Sequence, residues 1–154
     1  SPTSAKGTIS KSTPQGLIEE PIAALSTAIS NGAGLVARAY AGKLKQMVEL
    51  IKTGILYEGF SLIDVLQPCS SFNKEQDYAW YQNNTFDLDE NYDVSNRTQA
   101  LDALLNQEKL SLGILYRNDQ HLAYHKEIPQ LKEKTLIEQF PKEINLNQAI
   151  VEFI

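Results

Sequence analysis

At 154 residues, 42% of them hydrophobic, the chain is long enough for one domain with a buried core. A net charge of −5 without any basic cluster excludes a phosphate-binding surface of the kind nucleic-acid binders carry, so no nucleic-acid partner is expected. No apolar run approaches the roughly 20 residues that cross a bilayer, so no membrane partner is expected, and a single cysteine excludes an internal disulfide and fits a reducing, cytoplasmic setting.

The chain opens with SPTSAKGTISKSTPQG, rich in Ser, Thr, Gly and Pro, which predicts irregular backbone and reads as a loop cut from a longer chain. Glu19, Glu20 and Pro21 then form an acidic, proline-led helix entry, and the spacing of Ile22, Leu25, Ala28 and Ile29 predicts a helix over 21–31 that Asn31 and Gly32 stop. Leu35 to Arg38 predict a short strand. Between Gly42 and Glu58, Leu44, Met47, Val48, Ile51, Ile55 and Leu56 recur at helical spacing, and Gly59 ends the helix. Phe60 to Leu66 is mostly apolar and bounded by Gly59 and Pro68, the pattern of a strand covered on both faces. Two strands joined by such a helix should be parallel, as in half of a doubly wound α/β sheet.

After Asn73 the composition changes. Lys74 to Asn96 mixes Asp77, Asp87, Asp89, Glu90 and Asp93 with Tyr78, Trp80, Tyr81, Phe86 and Tyr92, and so many aromatics predict an ordered extension folded over one sheet edge rather than a linker. A further helix is expected over Arg97–Gln107 with Leu101, Leu104 and Leu105 inward, then a strand at Leu112–Tyr116. Beyond His121 only scattered apolar anchors appear, at Ile128-Pro129, Glu138–Phe140 and Ala149–Ile154, and the chain has no internal repeat.

The loop after the 60–66 strand, QPCSSFN, lies where ligands bind in open α/β sheets, beyond the carboxyl end of a strand. On residue type alone Cys69 is open to three readings: a small buried hydrophobe, a nucleophile, or a metal ligand. His121 and His125 are four apart, but HLAYH lacks the glutamate of HExxH, which favours exposed histidines over a metal pair. Asp87 to Asp93, DLDENYD, has neither the glycine at position six nor the glutamate at twelve of a calcium loop and reads as a solvated acidic loop. Gly32 and Gly34 sit between a helix and a strand, the reverse of the nucleotide-binding order, and read as turn residues.

Three segments taken together are more specific. Ser1-Pro2-Thr3 with the following loop, the Val36-Ala37-Arg38 strand, and Pro68-Cys69-Ser70-Ser71-Phe72-Asn73 resemble, in order and spacing, the later half of the beta subunit of 2-oxoacid:ferredoxin oxidoreductases, thiamine-diphosphate enzymes. Leu112 to Arg117, LGILYR, extends the likeness to about residue 117. The resemblance implies part of a doubly wound, mostly parallel sheet of the thiamine-diphosphate-binding type. Residues 1–67 would be its trailing part and 68–154 a C-terminal extension.

The resemblance also implies that Cys69 is the fourth ligand of a [4Fe-4S] cluster whose other three cysteines lie upstream, with the residues that hold thiamine diphosphate and Mg²⁺ upstream as well. The implied reaction is oxidative decarboxylation of a 2-oxoacid, of the pyruvate or 2-oxoglutarate type, to an acyl-coenzyme A, with electrons leaving to ferredoxin. The implied partners are the upstream half of the same subunit, an alpha subunit, ferredoxin, the 2-oxoacid and coenzyme A, in a hetero-oligomer, and the isolated chain is expected to be inert. The alternative is a non-catalytic α/β subunit-interaction domain. A thiamine enzyme of the acetolactate type has the same sheet but wants no cysteine in this loop.

Overall fold

The computed structural model of the chain describes residues 4–71, 73–106, 108–139 and 150–151. They fall into two compact units, Ser1–His121 and Leu122–Ile154. The first unit is a mixed α/β fold. Its elements are α1 (Ala24–Ser30), β1 (Leu35–Tyr40), α2 (Leu44–Leu56), β2 (Ser61–Leu66), α3 (Tyr78–Asn84), β3 (Thr85–Asp87), α4 (Arg97–Leu105) and β4 (Leu110–Arg117). The four strands form one open sheet in the order β2-β1-β4-β3. The β1–β2 and β3–β4 pairs are parallel and β1–β4 is antiparallel, with a bulge between Val36 and Ala37. The sheet is therefore mostly parallel, as expected, and draws strands from both the 1–67 and 68–154 segments.

Strand β1 is the centre because its alternating side chains enter two different cores. Val36 joins Leu25 and Ile29 of α1, Ala100 of α4 and Leu115 of β4. Ala37 and Ala39 point the other way and meet Leu50 of α2, with Met47, Ile63 and Ile114 packed around them. Helices thus cover both faces, and small alanines on the α2 side let that helix approach the sheet. Further along, Tyr40 is fully buried with Tyr81 and Leu112. It stacks on Tyr81 at 5.6 Å and its hydroxyl donates to the Tyr78 carbonyl. Each fully buried residue of Ile29 or Leu115 size contributes about 1.5–3 kcal/mol.

Two expectations change. The 60–66 strand meets helices on both faces, Leu62 on the α1 side and Ile63 on the α2 side, but β2 is an edge among the described strands and stays half-exposed along most of its length. An apolar run records that a strand prefers burial, not which side lacks a neighbour. Of the α2 residues at helical spacing only Met47 packs toward the sheet, beside Leu50, while Leu44, Val48, Ile51, Ile55 and Leu56 are exposed.

Helix ends follow local chemistry. Helix α1 starts at Ala24, three residues after Pro21, and closes in a Schellman motif: Gly32 N–H donates to Ile29 C=O, Ala33 N–H to Ala28 C=O, with Gly32 at φ 87°. Asn96 caps α4 by accepting from the Gln99 N–H. The acidic aromatic stretch is ordered and contains α3 and β3. The second unit holds the short helix α5 (Tyr124–Glu127) and two 3₁₀ turns, Pro129–Leu131 and Ile137–Gln139. The expectations at Ser1–Thr3, Phe72, Gln107, Phe140, Ala149 and 152–154 fall on residues outside the described ones.

Candidate functional site

Strand β2 ends at Leu66, and Gln67 and Pro68 carry the chain into a tight turn closed by the Asn73 N–H donating to the Cys69 C=O at 3.0 Å. Asn73 fixes the turn twice more: its Oδ1 accepts from the Gln76 N–H and its Nδ2 donates to Gln76 Oε1. One residue on, Asp77 caps α3 by accepting from the Trp80 N–H at 2.8 Å. The Cys69 loop is thus strung between a strand end and a capped helix, which limits where the cysteine can move. Cys69 itself is exposed.

A second element stands beside it that the sequence did not announce. Residues 7–17 fold back on themselves, with the Gly7 N–H donating to Leu17 C=O, the Leu17 N–H to Thr8 C=O, and a Ser10–Thr13 bridge across the tip. Gly7 and Gly16 both sit at positive φ, and a Cβ on Gly16 would press on the Gly7 carbonyl at 3.2 Å, so the crossing needs glycine. This small hairpin and the residues that follow Cys69 wall a groove between Thr8, Ser10 and Lys11 on one side and Ser71, Asn73 and Lys74 on the other.

Behind the loop, Arg38 and Asp64 face each other in register across β1 and β2, with Arg38 Nε donating to Asp64 Oδ2 at 3.0 Å. Nearby, burial pushes the Tyr81 phenol above its ordinary pKa, and the Asp64 carboxylate adds to this. A charge in each of two otherwise apolar strands is the signal that could have found this pair.

The other candidates separate. His121 and His125 are exposed and belong to different units. Among the described residues no group of three or more His, Cys, Asp or Glu could hold a metal ion. Cys69 can therefore serve a cluster only as one donor among thiolates supplied from elsewhere, and an exposed thiol on a fixed loop suits that role. The thiamine-diphosphate ligands expected upstream have no counterpart to place here.

Residues 69–133 match the family described as the C-terminal region of the pyruvate ferredoxin oxidoreductase beta subunit. The 2-oxoacid:ferredoxin oxidoreductase beta subunit of Sulfolobus sp is 34% identical, across 83% of this chain and 46% of that one. That of Saccharolobus solfataricus is 31% identical, across 84% and 47%. The chain resembles the C-terminal half of these beta subunits. A solved 2-oxoglutarate:ferredoxin oxidoreductase from Magnetococcus marinus, with 2-oxoglutarate, coenzyme A and succinyl-CoA bound, superposes with a TM-score of 0.82 at 28% identity, covering 98% of this chain and 51% of that one. These relatives are subunits of oxidoreductase complexes, and the chain spans about half the length of the curated relatives it matches. No helix among the described residues is long and apolar enough to cross a membrane.

Proposed function

We propose that the chain supplies the C-terminal half of a 2-oxoacid:ferredoxin oxidoreductase beta subunit and that Cys69 is one of the four thiolate ligands of a [4Fe-4S] cluster. What carries this reading is a single placement: the only cysteine of a chain that resembles these beta subunits is exposed on a fixed loop beyond the carboxyl end of a parallel strand. The match to the family begins at that residue. In this reading residues 1–67 are the trailing part of the thiamine-diphosphate-binding domain and 68–154 the beta-subunit extension.

The chain's own work is positional. Asn73, Gln76 and the Asp77 cap hold the loop so that the thiolate meets cysteines contributed by the upstream half. The 7–17 hairpin walls a groove together with the residues that follow Cys69. When bound, the cluster passes single electrons toward ferredoxin, and thiamine diphosphate with Mg²⁺, held upstream, supplies the carbanion chemistry. With an alpha subunit the complex converts a 2-oxoacid of the pyruvate or 2-oxoglutarate type and coenzyme A into an acyl-coenzyme A and CO₂ in the cytoplasm. Alone, the chain is inert.

The test compares the full-length complex with its Cys69→Ser variant by iron content and by the electron-paramagnetic-resonance signal after reduction. The variant should lose or alter the cluster signal while keeping thiamine diphosphate. An unchanged signal overturns the assignment and returns Cys69 to a structural residue ending a strand.

A further inference from the structure

Helix α2 carries an exposed apolar stripe, Leu44, Val48, Ile51 and Ile55, on one flank. At about 3.6 residues per turn that flank lies opposite Gln46, and Gln46 Nε2 reaches Asp87 on β3. In the strand order β2-β1-β4-β3 the stripe therefore faces away from β3 and lies toward β2.

Beside the stripe the sheet is open. The Leu35 and Ala41 N–H groups donate to the Phe60 and Leu66 carbonyls, so the even-numbered residues of β2 turn their backbone groups toward β1. By the alternation of the strand, Ser61, Ile63 and Val65 turn theirs outward, where no described strand lies. Val65, in register with Ala39, is on the α2 side of the sheet and is itself exposed. A six-residue edge without proline or lysine, bordered by an apolar helix flank, is a combination that folded proteins seldom leave to solvent.

What covers this surface must do two things at once: pair with the outward backbone groups of β2 and bury the flank of α2. A strand with its own helix does both, because in an open α/β sheet helices on one face lie side by side over neighbouring strands. The opposite edge, β3, is three residues long against six for β2 and is the poorer place to extend the sheet. More than half of each curated relative lies outside the part this chain matches, and in the reading above that upstream half belongs to the same doubly wound sheet. We propose that the upstream half of the subunit docks here, adding a strand along β2 and laying an apolar helix against the exposed flank of α2. The proposal rests on the beta-subunit reading, but not on Cys69 as a cluster ligand.

The test uses the full-length complex, assembled from a mixture of natural-abundance and heavy-nitrogen-labelled beta subunits. Leu44 and Ile55, both exposed here, are replaced one at a time by the photo-crosslinking residue p-benzoylphenylalanine, and the captured peptide is identified by mass spectrometry. Capture of a peptide upstream of Ser1, carrying the same isotope label as α2, is expected. Capture of an alpha-subunit peptide, of a peptide with the other label, or of nothing at either position overturns the proposal. Single-residue hydrogen exchange on the unmodified complex reads the strand without any substitution. The Ile63 and Val65 amides should exchange as slowly as those of Leu62 and Asp64, and free exchange at the two odd positions overturns the pairing. In Cys69→Ser both readouts should persist. A complex that lacks the cluster signal but keeps them defeats the cluster assignment and supports the docking, whereas one that has the signal and lacks them defeats the docking alone.

Discussion

Helices α1 and α2 pack on opposite faces of β1 and treat their apolar residues in opposite ways. Helix α1 is short and puts its apolar side chains into the core, with Leu25 and Ile29 buried against Val36 and α4. Helix α2 is nearly twice as long, yet among its buried residues only Leu50 qualifies, while Leu44, Val48, Ile51 and Ile55 form an exposed stripe at spacings of four, three and four. The stripe lies on one side of the helix and Met47, Leu50 and Gly54 on the sheet side. Apolar periodicity thus has two meanings in one molecule: in α1 it marks the face that this chain buries, in α2 it exceeds what this chain can cover.

The largest expected effect lies on the α1 side. Ile29→Ala removes a side chain that is 0% exposed and should lower unfolding stability by about 2–5 kcal/mol in denaturant titration. The matched change on α2, Ile55→Ala, truncates a residue that is 76% exposed and should shift stability by less than about 0.5 kcal/mol. Similar losses at the two sites would mean that the α2 stripe is covered in solution, and the contrast between the helices would fall.

A smaller effect tests how α1 is ended. Gly32→Ala places a Cβ in open space, so any loss comes from the positive φ alone and should be about 1 kcal/mol. A neutral result would show that the turn relaxes and that the Schellman closure does not set where α1 stops.

The smallest concerns how α2 is tied down despite its thin buried face. Its entry is fastened to β3 by Lys43 Nζ at 2.6 Å and Gln46 Nε2 at 2.8 Å from the Asp87 carboxylate. The Lys43 hydrogen bond holds the Asp87 pKa below its ordinary value, with burial opposing and Gln46 assisting. Because the folded value is the lower one, the stabilisation is present above the unfolded pKa of about 3.9 and is lost as pH falls through the folded value. The carboxylate is 54% exposed, so solvent screening limits the effect to a few tenths, about 0.3 kcal/mol. Asp87→Asn should remove that acid-side slope in stability measured against pH, and a slope retained in the variant would assign it to other carboxylates.

The sequence alone determined the order of α1, β1, α2, β2, α4 and β4, the parallel pairing of β1 with β2, the stop at Gly32 and the place of Cys69 beyond a strand, because these follow from signals along the chain: apolar spacing, a glycine that tolerates positive φ, a proline that ends a strand. It also carried the likeness to the beta subunits in the Pro68 to Asn73 loop. Tertiary structure decided that β4 enters antiparallel between β1 and β3, that β2 is an edge, that α2 shows its stripe to solvent, and that the 7–17 hairpin stands beside the cysteine loop. It also paired Arg38 with Asp64 across 26 positions. These depend on which surfaces meet, and no local pattern encodes that: an apolar face or a buried-looking charge states a requirement, and only the packed chain shows whether this molecule meets it.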